Sequence, residues 1–104
     1  MDLNKLMKQA QKMQAQMAET QEKLGDITVE ATSGGEKVKV TANALQQILS
    51  LSIDPEVVDP DDVEMLEDLI LGAIREAQRE AKSRQEAEMS KVTGGMGLPP
   101  GMMG

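Results

Sequence analysis

Between residues 3 and 24 the seam positions fall at Leu3, Leu6, Ala10, Met13, Met17, Thr20 and Leu24, an unbroken 3-4 spacing. Gln, Lys and Glu fill most of the places between them. This periodicity predicts a helix with a narrow apolar seam, close to a coiled-coil pattern. Asp2 stands at the positive end of its dipole and Gly25 offers a stop. At 1.5 Å per residue the helix would run roughly 33 Å. A small sheet cannot cover that length, so part of the seam is expected to meet another chain.

From residue 27 the period changes from helical to alternating. Ile27, Val29 and Ala31 alternate with Thr28 and Glu30, and Ser33-Gly34-Gly35 reads as a turn. Val38, Val40 and Ala42 then alternate with Lys37, Lys39 and Thr41. After Asn43-Ala44, Leu49, Leu51 and Ile53 share one face while Ser50 and Ser52 take the other. The pattern predicts three antiparallel strands, each with one buried face.

Asp59-Pro60-Asp61-Asp62 opens a second helix, with Asp59 as the expected cap and Pro60 at the first helical position. Val63, Leu66, Leu69, Ile70, Ala73, Ile74, Ala77 and Ala81 form a broad face that narrows to alanines. The large residues are expected on the sheet, and the alanine end is expected to let another helix approach closely. This helix is expected to fade near Met89. The whole reads as an α+β domain over 1–89, an α-β-β-β-α protomer with a three-stranded antiparallel sheet and two long helices. The tail, 90–104, is Gly-, Pro- and Met-rich and reads as disordered.

Composition then removes whole classes of chemistry. The 104 residues include no Cys, His, Trp, Tyr or Phe. Disulfides, thiolate zinc sites, Cys or His nucleophile–base pairs and a His-assisted triad are excluded. Aromatic platforms for stacking bases are absent as well. A Ser–Lys nucleophile using Ser50 or Ser52 is formally open but has no further support. No run approaches about 18 consecutive apolar residues, so no membrane helix is expected. The polar N-terminal segment does not read as a signal, and a cytoplasmic location is the default.

Charge is unevenly spread. Eleven Lys and Arg stand against 18 Asp and Glu, for a formal net charge of -7. Eight of those acids lie between residues 54 and 72, where no base occurs. They lack the glycine and distal Glu of a calcium loop, so capping and dipole stabilisation explain them more simply than a metal. Ser33-Gly34-Gly35 lacks the ending of a phosphate loop and leads into no helix. Lys5, Lys8 and Lys12, at i, i+3 and i+7, share one face within roughly 60° of each other, well away from the seam. Arg75, Arg79 and Lys82 repeat the arrangement on the outer side of the second helix. Gln9 beside the first stripe can hydrogen-bond to phosphate or base edges. These stripes make a phosphate-contacting ridge or an ordinary solvated face with local charge pairs. On pattern alone the solvated face is the more economical reading, because a -7 chain repels DNA on average.

The ordered set of segments adds to this. Leu6-Met7-Lys8-Gln9-Ala10-Gln11, Val38-Lys39-Val40-Thr41, Ile53-Asp54-Pro55, Met65-Leu66-Glu67-Asp68-Leu69 and Gly95-Met96-Gly97-Leu98-Pro99-Pro100-Gly101 occur in that sequence along the chain. Together they resemble the YbaB/EbfC family of bacterial nucleoid-associated proteins over nearly the whole length. The resemblance implies an α-β-β-β-α protomer that dimerises through its sheet region with helices projecting like tweezer arms. It implies binding of double-stranded DNA, a change in DNA shape, a place in the nucleoid, no enzyme activity and no cofactor. Carried onto this chain, the DNA-facing candidates are Lys5, Lys8, Gln9 and Lys12, with Arg75, Arg79 and Lys82 on the second helix. One departure is Asn43-Ala44, where the family usually has Asn-Gly, so that turn is expected to differ. A dimeric adaptor that binds protein partners, with little DNA binding, is the alternative.

Overall fold

The protein was analysed as a computed structural model that describes residues 2–95, with side chains to residue 92. The chain runs α1 (Leu3–Asp26), β1 (Thr28–Ser33), β2 (Val38–Asn43), β3 (Ile48–Ile53), a 3-10 turn (Pro55–Val57) and α2 (Val63–Gly95). The α-β-β-β-α order and α+β class are those expected from the pattern. The strands form an antiparallel meander in the order β1-β2-β3.

Each boundary has a local cause. Asp2 caps α1, its carboxylate accepting the Asn4 N–H at 3.0 Å. Gly25 does not stop this helix, which continues to Asp26 and ends where Ile27 turns extended and donates its N–H to the Leu24 carbonyl. The β1–β2 turn places Gly34, Gly35 and Glu36 in succession at positive φ, from 61° to 71°. At the β2–β3 turn the positive φ falls on Gln46, not on Ala44. Asn43 organises that turn, its side-chain oxygen accepting from the Leu45 and Gln47 N–H groups. Ala44 is fully buried, and its N–H bridges the Leu24 and Ile27 carbonyls, so the turn docks the end of α1. Asn43-Ala44 therefore has a packing role where a glycine would have supplied only conformational freedom.

The entry to α2 differs from the expected cap. Asp59 closes a turn instead, its carboxylate accepting from Asp61 N–H and its carbonyl from Asp62 N–H. Pro60 sits inside that turn, where its fixed φ suits the second position. The cap is Asp62, which accepts the Met65 N–H at 3.2 Å, three residues on.

The core lies between the sheet and α2. Val29, Ala31, Val38, Val40 and Ala42 from the sheet meet Ala73, Ala77 and Ala81 from the helix, with Val57, Leu69, Ile70 and Ile74 at its margin. The large residues Leu69, Ile70 and Ile74 pack on the sheet as expected, but the alanines do so as well and are the more deeply buried. The alanines face the sheet, because a long helix crossing a narrow two-strand surface packs closest where its side chains are smallest. α2 runs antiparallel to β1: the Ser33 hydroxyl donates to the Leu69 carbonyl at one end, and Val29 lies beside Glu80, Ser83 and Arg84 at the other. It lies over β1 and β2. The apolar side of β3 is consequently open, with Leu49 and Leu51 about half exposed, against the expectation of a buried face. A bulge between the Thr41 and Ala42 pairings inserts Leu49 as an extra residue.

α2 also continues past Met89 to Gly95, beyond the expected fading point. The remainder of the expected disordered tail, 96–104, lies outside the described residues. The molecule spans 70 × 25 × 16 Å, with a radius of gyration of 19.6 Å. A compact domain of this length would have about 13 Å. The excess comes from α1, in which Thr20 and Leu24 alone are buried.

Candidate nucleic-acid interface

α1 lies against α2 from Leu24 back to Gln16, and from Ala15 to Leu3 it runs free for about 18 Å. Every described residue from Asp2 to Ala15 is exposed, so Lys5, Lys8, Gln9 and Lys12 stand on a free helical arm. Their mutual spacing is set by the helix alone. Arg75, Arg79 and Lys82 are exposed on the side of α2 opposite the alanine stripe, over the sheet. The two stripes are not brought together. α1 and α2 meet where Lys23 faces Glu88, in antiparallel sense, which leaves Lys12 and Lys82 roughly 25 Å apart along the axis.

The ion pairs divide the cations into two groups. Lys37 binds Asp54 and Glu56, Lys39 pairs with Glu30 at 3.6 Å, and Arg79 pairs with Glu76 at 2.9 Å. Lys23 and Lys91 both bind Glu88, at 3.2 and 3.0 Å. Among the described residues Lys5, Lys8, Lys12, Arg75, Lys82 and Arg84 form no ion pair. Free cations are therefore concentrated on helix surfaces, while those of the sheet are neutralised locally. The hydrogen bond and charge of Glu56, then the charge of Asp54, hold the Lys37 ammonium above its ordinary value. Asp54 is held below its ordinary value, chiefly by the Glu56 N–H and then by Lys37. These groups tie the end of β3 to the following turn and are committed there.

Arg84 is the basic residue that periodicity missed. It lies off the Arg75–Arg79–Lys82 face, near Val29. Only its lack of a partner distinguishes it, and pairing is a tertiary property. The acidic stretch does not form a bowl for a cation. Asp54, Asp59 and Asp62 are spent on N–H groups of the chain itself, which matches the capping explanation.

Fold and surface together describe a small α+β protein whose unpaired cations sit on helices, one of which projects as an arm, an arrangement suited to an extended polyanion. The chain belongs to the YbaB/EbfC DNA-binding family, whose model matches residues 1–96. Among curated relatives, a nucleoid-associated protein of Acetivibrio thermocellus is 54% identical over 97% of this chain and 89% of its own. Another from Moorella thermoacetica is 55% identical over 94% of each chain. The crystal structure of an uncharacterized Helicobacter pylori protein superposes with a TM-score of 0.79, covering 88% of this chain and 97% of that one. At 22% identity that likeness shows the fold alone. Among the described residues no helix is long and apolar enough to cross a membrane.

Proposed function

We propose that this protein binds double-stranded DNA as a homodimer, changes its conformation, and acts in the cytoplasm as a nucleoid-associated protein that influences nucleoid organisation and gene expression. The observation that carries the reading is the lysine stripe on the free arm: three cations on one face, fully presented and paired with nothing. Family membership and the relatives' names support the same reading. Lys5, Lys8 and Lys12 contact phosphates, with Gln9 reaching phosphate or a base edge. Arg75, Arg79 and Lys82 make a second contact zone, for which Arg79 must share its guanidinium with Glu76. The phosphate contacts position the protein without reading sequence.

Dimerisation is supported by β3. It is an edge strand whose free side carries unpaired backbone groups, and its apolar side chains, Ile48, Leu49 and Leu51, lie uncovered. An apolar edge of this kind is a ready template for pairing with another chain. A second copy doubles the arms and sets them a fixed distance apart, so local positive charge outweighs the repulsive average.

The test is anisotropy of a labelled mixed-sequence duplex at about 50 and about 200 mM salt. Two stripes contacting about six phosphates should lose affinity about a thousandfold over that range. Replacing Lys5, Lys8 and Lys12 with Glu should abolish binding and leave the oligomer intact. Undiminished binding would refute the stripe. No binding of the unaltered protein at either salt would favour the adaptor.

A further inference from the structure

The buried stripe of α2 does not end with the sheet. Ala73, Ala77 and Ala81 are followed two turns on by Glu88, on the same face. Beyond the strands that face meets the last turns of α1. Glu88 is a charged residue with a side chain only 9% exposed, in a cleft lined by Gln16, Glu19, Thr20, Lys23, Lys91 and Val92. It accepts from Lys23 of α1 at 3.2 Å and from Lys91 of its own helix at 3.0 Å. Among the described residues the Lys23–Glu88 bond is the one ion pair joining α1 to the rest of the chain. The other fixed points of α1 are the buried Thr20 and Leu24 and the Ala44 N–H on the Leu24 carbonyl, all within its last two turns.

A helix held only over its last turns can pivot there, and a small change of angle moves the arm tip by many ångströms. We infer that Glu88 is a positioning residue: it clamps α1 through Lys23 and so sets the angle at which the lysine stripe is presented to a duplex. The inference rests on the DNA reading for its consequence, but the clamp is measurable without DNA. Lys91 completes the clamp by holding the carboxylate from the α2 side, so that one oxygen faces each lysine.

Because the chain contains no cysteine, two can be introduced for spin labels without competing sites. Gln11→Cys on the arm and Thr32→Cys on β1 are both exposed and outside the stripe. Doubly labelled protein diluted into an excess of unlabelled protein reports the distance from arm to body in full-length chains. The expected result is a narrow distance distribution for the parent and a broad one for Glu88→Gln. Duplex affinity should fall several-fold although no stripe residue is altered. Reversing all three charges, Lys23→Glu with Glu88→Lys and Lys91→Glu, should restore both readouts, which a loss of general stability would not allow. A parent-like distribution in Glu88→Gln overturns the clamp. A broad distribution with parent-like affinity overturns the positioning role. Should the parent itself fail to bind duplex, the DNA reading falls, and the distances still decide the clamp.

Discussion

Gly34 shows how closely a single residue can be tied to packing. It sits at φ 61°, and a Cβ added there would lie 3.0 Å from a Leu69 methyl. Gly35 has nearly the same φ of 64° but open space around its Cα. Gly34→Ala should cost about 2–5 kcal/mol, the sum of about 1–2 for backbone strain and about 1–3 for displacement of Leu69. Gly35→Ala should cost only the strain, about 1–2 kcal/mol. Urea denaturation of the two variants measures the difference, and equal losses would show that the Leu69 contact is easily relieved. Glu88 carries a second consequence at this scale. The Lys91 and Lys23 hydrogen bonds, in that order, hold its carboxyl below the ordinary value of 4.5. A carboxyl depressed on folding contributes stability above its unfolded value and loses it as pH falls through the folded one. The clamp should therefore hold at neutral pH and release only below 4.5, as neutralisation of Glu88 removes it. Glu19, the other acid in the cleft, lines it without joining the ion pairs and is exposed. The arm-to-body distance followed from pH 7 to 3 checks this, and release already near neutrality would contradict it.

Among the elements, β3 is the one whose environment the pattern misstated. Its alternation of Leu49, Leu51 and Ile53 with serines is that of a half-buried strand, and period 2 specifies a face without specifying what covers it. α2 covers two strands because its closest approach runs along the alanines, and β3 lies outside that footprint. In the proposed dimer a second copy supplies that cover. Leu51→Glu should leave the protomer folded, because Leu51 is 47% exposed in it, and should convert a dimer to a monomer. Light scattering would then fall from twice the 11.2 kDa of one chain to that mass, with unchanged far-ultraviolet circular dichroism. A dimer that survives the charge would move the interface off β3. The two helices were the most legible elements, since long 3.6-periodic runs are strongly specified by sequence. Their ends were less so. Asp59, Asp61 and Asp62 all have capping chemistry, and the turn around Pro60 decided in favour of Asp62.

At the scale of the molecule, elongation separates functions that composition averages together. Seven excess acids give the chain its net charge, and eight acids crowd the stretch before and into α2. The arm projects from the opposite end of the sheet, where Lys5, Lys8 and Lys12 have only Asp2 and no later acid before Glu19. Charges more than about 8–10 Å apart are largely screened at physiological salt, so in the proposed complex the arm would meet a duplex as a local cation and not as part of a -7 body. The steep salt dependence expected of the duplex assay is the measure of that independence.

Sequence by itself determined the order of elements, the strand faces of β1 and β2, the continuous arm and both basic stripes. These depend on periodicity along one chain segment, and that is local. The resemblance carried by five ordered segments determined the family. Tertiary structure decided which cations are free, because pairing depends on what lies across a gap: Lys37 and Lys39 are neutralised, and Arg84 is not. It decided that the alanines take the centre of the sheet contact, with Leu69, Ile70 and Ile74 at its margin. It also made Glu88, one acid among 18 in the sequence, the charge that joins arm to body. No pattern marks that residue, since its burial arises only where α2 outruns the sheet and meets the last turns of α1.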